Sequence, residues 1–68
     1  MKKYTILARS LNNPEKVWKM DEVTCNSWGE ARQWAMVNCW QRLGGEEQMI
    51  VASPVQLKKV WSKYMKEV

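Results

Sequence analysis

The amino-acid sequence predicts an α+β fold in which a three-stranded antiparallel sheet and two helices follow the order β-β-α-β-α. Three features support this prediction: a strand-turn-strand pattern over residues 3–25, two helix starts marked by capping boxes, and an apolar segment over residues 46–52. A chain of 68 residues predicts one domain spanning 1–68, close to the size at which a hydrophobic core becomes marginal.

The first two predicted strands form a hairpin. In residues 3–10 the two faces are Tyr4, Ile6 and Ala8 on one side and Thr5, Leu7 and Arg9 on the other. Pro14 disfavours a helical conformation at Asn13, so we expect the chain to reverse before the second strand, residues 17–25. Asp21 and Glu22 interrupt the alternation of that strand, which indicates a bulge or an exposed edge.

The first predicted helix begins at a capping box, in which Ser27 is the N-cap and Glu30 reaches back from the third helical position. Gly44 and Gly45 are expected to end it. At about 100° per residue, the side chains expected to face the sheet are Trp28, Ala31, Ala35, Met36, Cys39 and Leu43. The two alanines allow the helix to lie close to the sheet.

The third predicted strand covers residues 46–52 and is built on Met49, Ile50 and Val51. Its two faces both carry apolar residues, a pattern typical of a strand covered on both sides. We therefore expect it in a central position, beside the first strand.

A second capping box marks the start of the last helix. Ser53 is the expected N-cap, Pro54 suits the first turn, and Gln56 completes the box. The apolar stripe of this helix comprises Leu57, Val60, Trp61, Tyr64, Met65 and Val68. We expect the first helix to cross one face of the sheet and the second to pack at its edge or back.

Composition argues against catalysis and metal binding. The sequence has five Trp but no His, so it lacks the side chain that most often serves as general base or metal ligand near neutral pH. Cys25 and Cys39 lack the spacing of a metal site and are expected to be reduced and buried. The acidic pairs at 21–22 and 46–47 are interpreted as solvated charge. We expect a protein that is not an enzyme, with no catalytic residue, metal or cofactor.

The amino-terminal segment does not fit a signal peptide. Lys2 and Lys3 supply positive charge, but the apolar run from Tyr4 to Ala8 is short and is followed by Arg9. The sequence also has no apolar stretch long enough for a membrane span. We therefore expect a cytoplasmic protein without a membrane partner.

Basic residues make nucleic acid a possible partner. The formal net charge is +4, and the second helix concentrates Lys58, Lys59, Lys63 and Lys66 on its polar face. Arg9, Lys19 and Arg32 would extend such a patch. The alternative interpretation is that these lysines form the solvated side of an amphipathic helix, and no nucleic-acid-binding motif accompanies them.

Two tryptophans favour a protein-binding role. Trp34 and Trp40 lie on the flanks of the first helix, away from the centre of its predicted core face. Either the rest of the chain covers them, or they anchor a partner, as Trp often does in interfaces. The expected partner-binding residues are Trp34, Val37, Trp40, Gln33 and Gln41, with Lys58, Lys59, Lys63 and Lys66 tuning the approach.

No residue motif identifies a family. In size and element order alone, the predicted fold resembles short phage-encoded inhibitors of bacterial machinery, such as host-polymerase inhibitors and anti-CRISPR proteins. The leading hypothesis is therefore a non-catalytic protein that binds and blocks a larger protein or nucleoprotein complex. The alternatives are a basic nucleic-acid-binding accessory protein and a small structural homodimer.

Overall fold

The structure, a computed structural model, describes residues 1–64 and the side chains of residues 1–59. Its elements are β1 (Lys2–Ser10), β2 (Val17–Cys25), α1 (Trp28–Asn38), a 3-10 turn (Trp40–Arg42), β3 (Glu47–Ala52) and α2 (Pro54–Tyr64). The α+β class and the predicted order of the strands and α-helices are confirmed.

The three strands form one antiparallel sheet in the order β2-β1-β3. The predicted hairpin and the pairing of the third strand with the first are confirmed. The prediction that the third strand is central is wrong, because β1 occupies the centre and β3 lies at an edge. The apolar residues on both faces of β3 have another cause: a helix covers each face of the sheet.

The irregularity predicted in the second strand is a bulge. Ile6 lies opposite Asp21 and Leu7 lies opposite Lys19, so Met20 is the extra residue on β2. The bulge thus falls one residue before the acidic pair that interrupts the alternation. Beside it, the Asp21 carboxylate accepts a hydrogen bond from the Glu22 backbone N–H at 2.8 Å.

The sheet separates two small cores. The front core, under α1, comprises Tyr4, Ile6, Cys25, Ala31, Ala35, Cys39 and Val51. The back core comprises Leu7, Val17 and Ala52, against which Ile50 and Leu57 pack. Because Ile6 and Leu7 are consecutive residues on opposite faces, the two helices lie on opposite sides of β1. The expected packing of the second helix at the back is thereby confirmed.

The amino terminus of α1 has the predicted cap. The Ser27 hydroxyl accepts a hydrogen bond from the Glu30 N–H at 3.2 Å. The Glu30 carboxylate accepts a hydrogen bond from the N–H of Asn26 at 3.0 Å. In a standard capping box it would accept from the N-cap residue itself, here Ser27. Both interactions satisfy backbone donors next to the first turn, which explains why the helix starts at Trp28.

The α-helix ends before the predicted glycine stop. It finishes at Asn38, and the chain then tightens into the 3-10 turn, with N–H to carbonyl bonds from Arg42 to Cys39 and from Leu43 to Trp40. The Asn38 side chain also bonds the carbonyl of Trp34 at 2.8 Å. The directions of the Trp40 and Leu43 side chains therefore do not follow the spacing of about 100° per residue that holds within α1.

The buried face of α1 is narrower than the sequence predicts. Ala31, Ala35 and Cys39 are buried, as expected for small residues spaced by four on a helix close to a sheet. Trp28 and Met36 are exposed, so their assignment to the core face is wrong. Because Ala31 and Ala35 bring α1 close to the sheet, no room is left beneath it for large side chains. Trp28 and Met36 therefore lie along the flank of the helix. Leu43 is half-buried.

The second capping box and the state of the cysteines are confirmed. Ser53 and Gln56 exchange reciprocal side-chain to backbone hydrogen bonds at 3.0 and 3.3 Å. Cys25 and Cys39 are free and buried. The core positions expected at Val60 and Trp61 lie outside the side chains that the structure describes and stay predictions.

Candidate functional site

A stripe of exposed side chains runs along one flank of α1 and onto the 3-10 turn. Its apolar members are Trp28, Met36 and Trp40, with 45%, 42% and 57% of their surface exposed. Arg32 lies between Trp28 and Met36, and the four residues recur at intervals of four in the sequence. We call Trp28, Arg32, Met36 and Trp40 the α1 stripe. The repeat is visible in the sequence, and it was missed because Trp28 and Met36 were assigned to the core.

The amino-terminal end of the α1 stripe is fixed to the sheet. The Trp28 indole Nε1 donates a hydrogen bond to the backbone carbonyl of Val51 at 2.7 Å. The Arg32 guanidinium lies 6.0 Å from the centre of the same indole ring, a cation–π distance. Trp28 is thus exposed on one side and held by β3 and Arg32 on the other.

A groove opens between the α1 stripe and β3. Its volume is about 660 Å³. Its apolar walls come from Met36, Trp40, Leu43, Leu11 and Met49, and its polar groups from Arg32, Glu47 and Gln48. The Gly44–Gly45 turn closes one end. A concave site with apolar walls and a few polar groups is the usual form of a small-molecule site, and pockets in protein interfaces receive anchor side chains of the partner.

The residues predicted to bind a partner lie on different sides of α1. Trp40 is exposed and lines the groove, whereas Trp34 is half-buried and packs against the front core. Val37 is 68% exposed and lies about 180° around the helix from Trp28. Gln33 and Gln41 are exposed. The structure does not bring Trp34 and Trp40 together, so Trp34 is not the centre of an exposed patch.

The basic residues are divided among several surfaces. Lys58 and Lys59 are exposed on α2, while Lys63 and Lys66 lie outside the described side chains. On β2 and β1, Lys19 and Lys3 lie 3.0 and 3.9 Å from the Glu22 carboxylate. The hydrogen bond from Lys19, with its charge and that of Lys3, lowers the pKa of Glu22. A carboxylate thus interrupts this part of the basic surface.

Arg42 joins the 3-10 turn to the bulge of β2. Its guanidinium lies 3.2 Å from Cys39 Sγ and 3.4 Å from the Asp21 carboxylate. The hydrogen bond to Cys39, followed by the charges of Cys39 and Asp21, raises the pKa of Arg42. This contact connects the 3-10 turn, which carries Trp40, to β2, and as an exposed ion pair it contributes little to stability.

Within the part of the chain that the structure describes, three or more His, Cys, Asp or Glu side chains nowhere cluster in a way that could hold a metal ion. In the same residues, no helix has the length and apolar character needed to cross a membrane.

Comparisons with protein-family models, curated proteins and solved structures find no match for this chain.

Proposed function

We propose that this protein is a non-catalytic binding module for another protein, and that its binding surface is the α1 stripe with the adjoining groove. The exposure of Trp28 and Met36 on one flank of α1, and of Trp40 on the 3-10 turn that follows it, carries this proposal. On small monomeric proteins, contiguous apolar patches larger than a few hundred Å² often mark interaction sites.

The composition of the surface fits a protein interface. Trp, Met and Arg are enriched at the cores of such interfaces, whereas Lys and Glu are depleted there. In the α1 stripe, the Arg32 guanidinium lies 6.0 Å from the centre of the Trp28 ring, and a contact that restrains the side chain lowers the entropy lost when a partner covers it. The groove beside Trp40 offers a pocket for an anchor residue of the partner.

The finer proposal is that binding blocks a larger bacterial or phage complex. It rests on the small size of the chain and its β-β-α-β-α order, which resemble those of phage-encoded inhibitors. A stoichiometric inhibitor needs only a rigid surface and no catalytic group. Inhibition would follow from occupying a surface that the target needs for its own assembly or activity.

The test compares Trp40→Ala with Val37→Ala. Affinity capture from the native host followed by mass spectrometry supplies a partner, and equilibrium titration of each purified variant against it gives the affinities. Removing an interface hot-spot residue costs about 2 kcal/mol or more, roughly a thirtyfold loss of affinity, so Trp40→Ala should weaken binding by that factor. Val37 is more exposed but lies off the α1 stripe, and its replacement should change the affinity less than about threefold. Equal affinities for the two variants would contradict the proposal.

A salt titration separates this proposal from nucleic-acid binding. Replacing Lys58 and Lys59 by Gln should mainly slow association at low salt, because rim charges act on the approach of the partner. If the lysine changes abolish binding and rising salt does the same, phosphate contacts dominate and the nucleic-acid alternative replaces this proposal.

A further inference from the structure

The outer edge of β3 presents backbone hydrogen-bonding groups away from β1. Leu11 N–H bonds the Glu46 carbonyl at 2.8 Å, and these residues are in register with the β1–β3 pairs. Because hydrogen-bonded pairs alternate along an antiparallel ladder, Gln48 and Ile50 bond to β1, whereas residues 47, 49 and 51 direct their N–H and C=O groups outwards. The Trp28 bond to the Val51 carbonyl agrees with this assignment.

The two ends of this edge are partly occupied, and among the residues that the structure describes none bonds its middle. Trp28 takes the Val51 carbonyl, and the Glu47 N–H bonds the Gly44 carbonyl at 3.3 Å. By the ladder pattern, the N–H and C=O of Met49 and the N–H of Val51 remain directed towards an added strand. Such a strand would pair with Met49 through both of its backbone groups.

The opposite edge of the sheet differs from that of β3. The β2 edge has a bulge at Met20 and charged side chains at Lys19, Asp21 and Glu22, features that prevent pairing with another strand. β3 pairs with β1 without a register shift, and its one charged residue, Glu47, stands at its first position. A flat edge with apolar residues is the type that accepts a strand from another chain.

Positive charge lies on both sides of the open edge. Arg32 lines the groove on the front, and Lys59 lines a depression of about 270 Å³ beside Ile50 and Val51 on the back. Neither cation forms an ion pair with another described side chain. The carboxylates nearest this edge, Glu46 and Glu47, accept hydrogen bonds from the Asn12 side chain and the Gly44 N–H.

We propose that the partner inserts an extended segment with alternating apolar and acidic side chains as a fourth strand on the β3 edge. This inference rests on the proposed function and specifies how the partner binds. Side chains of a strand alternate between faces, so every second residue points into the groove beside Met36 and Trp40. The residues between them point to the back, where Lys59 favours a carboxylate.

Charge also favours such a segment over a second copy of this chain. A copy pairing through its own β3 would bring a second Arg32 and a second Lys59 to the interface. Each copy also carries a formal net charge of +4, so two copies repel each other where a negatively charged segment is attracted. An acidic segment supplies the missing negative charge.

The experiment uses a soluble probe, an acetylated eight-residue peptide of alternating Leu and Glu. Amide hydrogen exchange by NMR is followed residue by residue in the full chain, with and without the peptide. Met49 and Val51 amides, which point outwards, should exchange at least tenfold more slowly when the peptide is bound. Gln48 and Ile50 amides should be protected in both states, because they bond to β1.

Two matched changes test the backbone and the charges separately. A peptide N-methylated at its central residues keeps its side chains but loses strand donors, and should bind roughly tenfold more weakly. Lys59→Glu should reduce affinity for the Leu–Glu peptide a few-fold and raise affinity for a Leu–Lys peptide by a similar factor, as expected for an exposed ion pair. Lys16→Glu, on the far side of the sheet, provides the control.

The outcomes distinguish this inference from the function on which it rests. If the N-methylated peptide binds as well as its parent, or Met49 and Val51 stay unprotected, strand addition is wrong. Loss of partner affinity in Trp40→Ala would still support the binding module. If sedimentation shows a dimer of the free chain with Met49 and Val51 already protected, the occupant is a second copy and the acidic-segment proposal is overturned.

Discussion

The indole nitrogen of Trp28 donates a 2.7 Å hydrogen bond to the backbone carbonyl of Val51, and so joins the first residue of α1 to the outer edge of β3. The two bonded residues are 23 positions apart in the sequence. The bond also holds an exposed aromatic ring beside Arg32, which lines the candidate binding groove. A single side chain therefore contributes to the stability of the fold and to the geometry of the candidate site.

Replacing Trp28 by Phe should lower the free energy of unfolding by about 0.5–1.5 kcal/mol, the usual net value of one hydrogen bond. The ring remains, and water can reach the Val51 carbonyl at the sheet edge, so the larger penalty for a buried unpaired group does not apply. Urea unfolding measures the change. Trp40→Phe is the matched control and should be nearly neutral; equal losses in both variants would show that the bond to Val51 contributes nothing.

The variants Trp34→Ala and Trp40→Ala should lose different amounts of folding stability. Trp34 is half-buried against the front core, so Trp34→Ala should cost about 2–3 kcal/mol, somewhat less than a fully buried Trp. Trp40 is largely exposed, and Trp40→Ala should cost less than about 1 kcal/mol. Equilibrium unfolding of the two proteins checks the order. The reverse order would contradict the assignment of Trp40 to the surface.

Because α1 lies close to the sheet, the stability of the fold should depend strongly on side-chain volume at the buried positions of this helix. Ala35 is completely buried under the helix, so Ala35→Leu should destabilise the fold by about 1–3 kcal/mol or more through overpacking. Val37→Leu, on the outer side of the same helix, should be within about 0.5 kcal/mol of the parent protein. Thermal unfolding compares them. A stable Ala35→Leu protein would mean that the helix lies further from β1 than described.

The Lys19–Glu22 contact predicts a measurable pH effect. The hydrogen bond from Lys19 is the largest contribution to the lowered pKa of Glu22, so Lys19→Gln should raise that pKa towards its ordinary value. NMR titration of the Glu22 carboxyl carbon gives the pKa directly, and Lys16→Gln is the control. Because the pKa is lowered in the folded state, the stability that this contact contributes is present above the ordinary Glu pKa. It is lost as pH falls through the folded value. A Glu22 pKa unaffected by Lys19→Gln would contradict the contact.

The local features of the fold were predictable from the sequence. The helix starts at Trp28 and Pro54 follow from Ser27–Glu30 and Ser53–Gln56, whose capping bonds involve residues three or four apart. The bounds of β2 were predicted without error, and the bulge within one residue. Each of these features depends on side chains close together in the chain, which is why pattern alone identifies them.

The candidate site was predicted only in part. Trp40 was correctly singled out as lying off the core, but its neighbours Trp28 and Met36 were assigned to the sheet side of α1. A wheel at about 100° per residue treats α1 as one regular helix up to the glycines. The chain instead changes to a 3-10 turn after Asn38, whose Arg42 contacts Asp21 on β2, a residue 21 positions away in the sequence.

By itself, the sequence determined the class of fold, the order of its elements, the caps and the irregular second strand, because these depend on local periodicity and on residues within one turn of each other. Only the tertiary structure decided that β3 is an edge strand, because the apolar residues on its two faces are equally consistent with a central strand. Helices on both sides of a small sheet bury both faces of an edge strand such as β3, while its outer backbone groups stay open. The open edge beside Trp28 and Met49 is therefore a property of the assembled fold, set by which strands pair and not by any one segment.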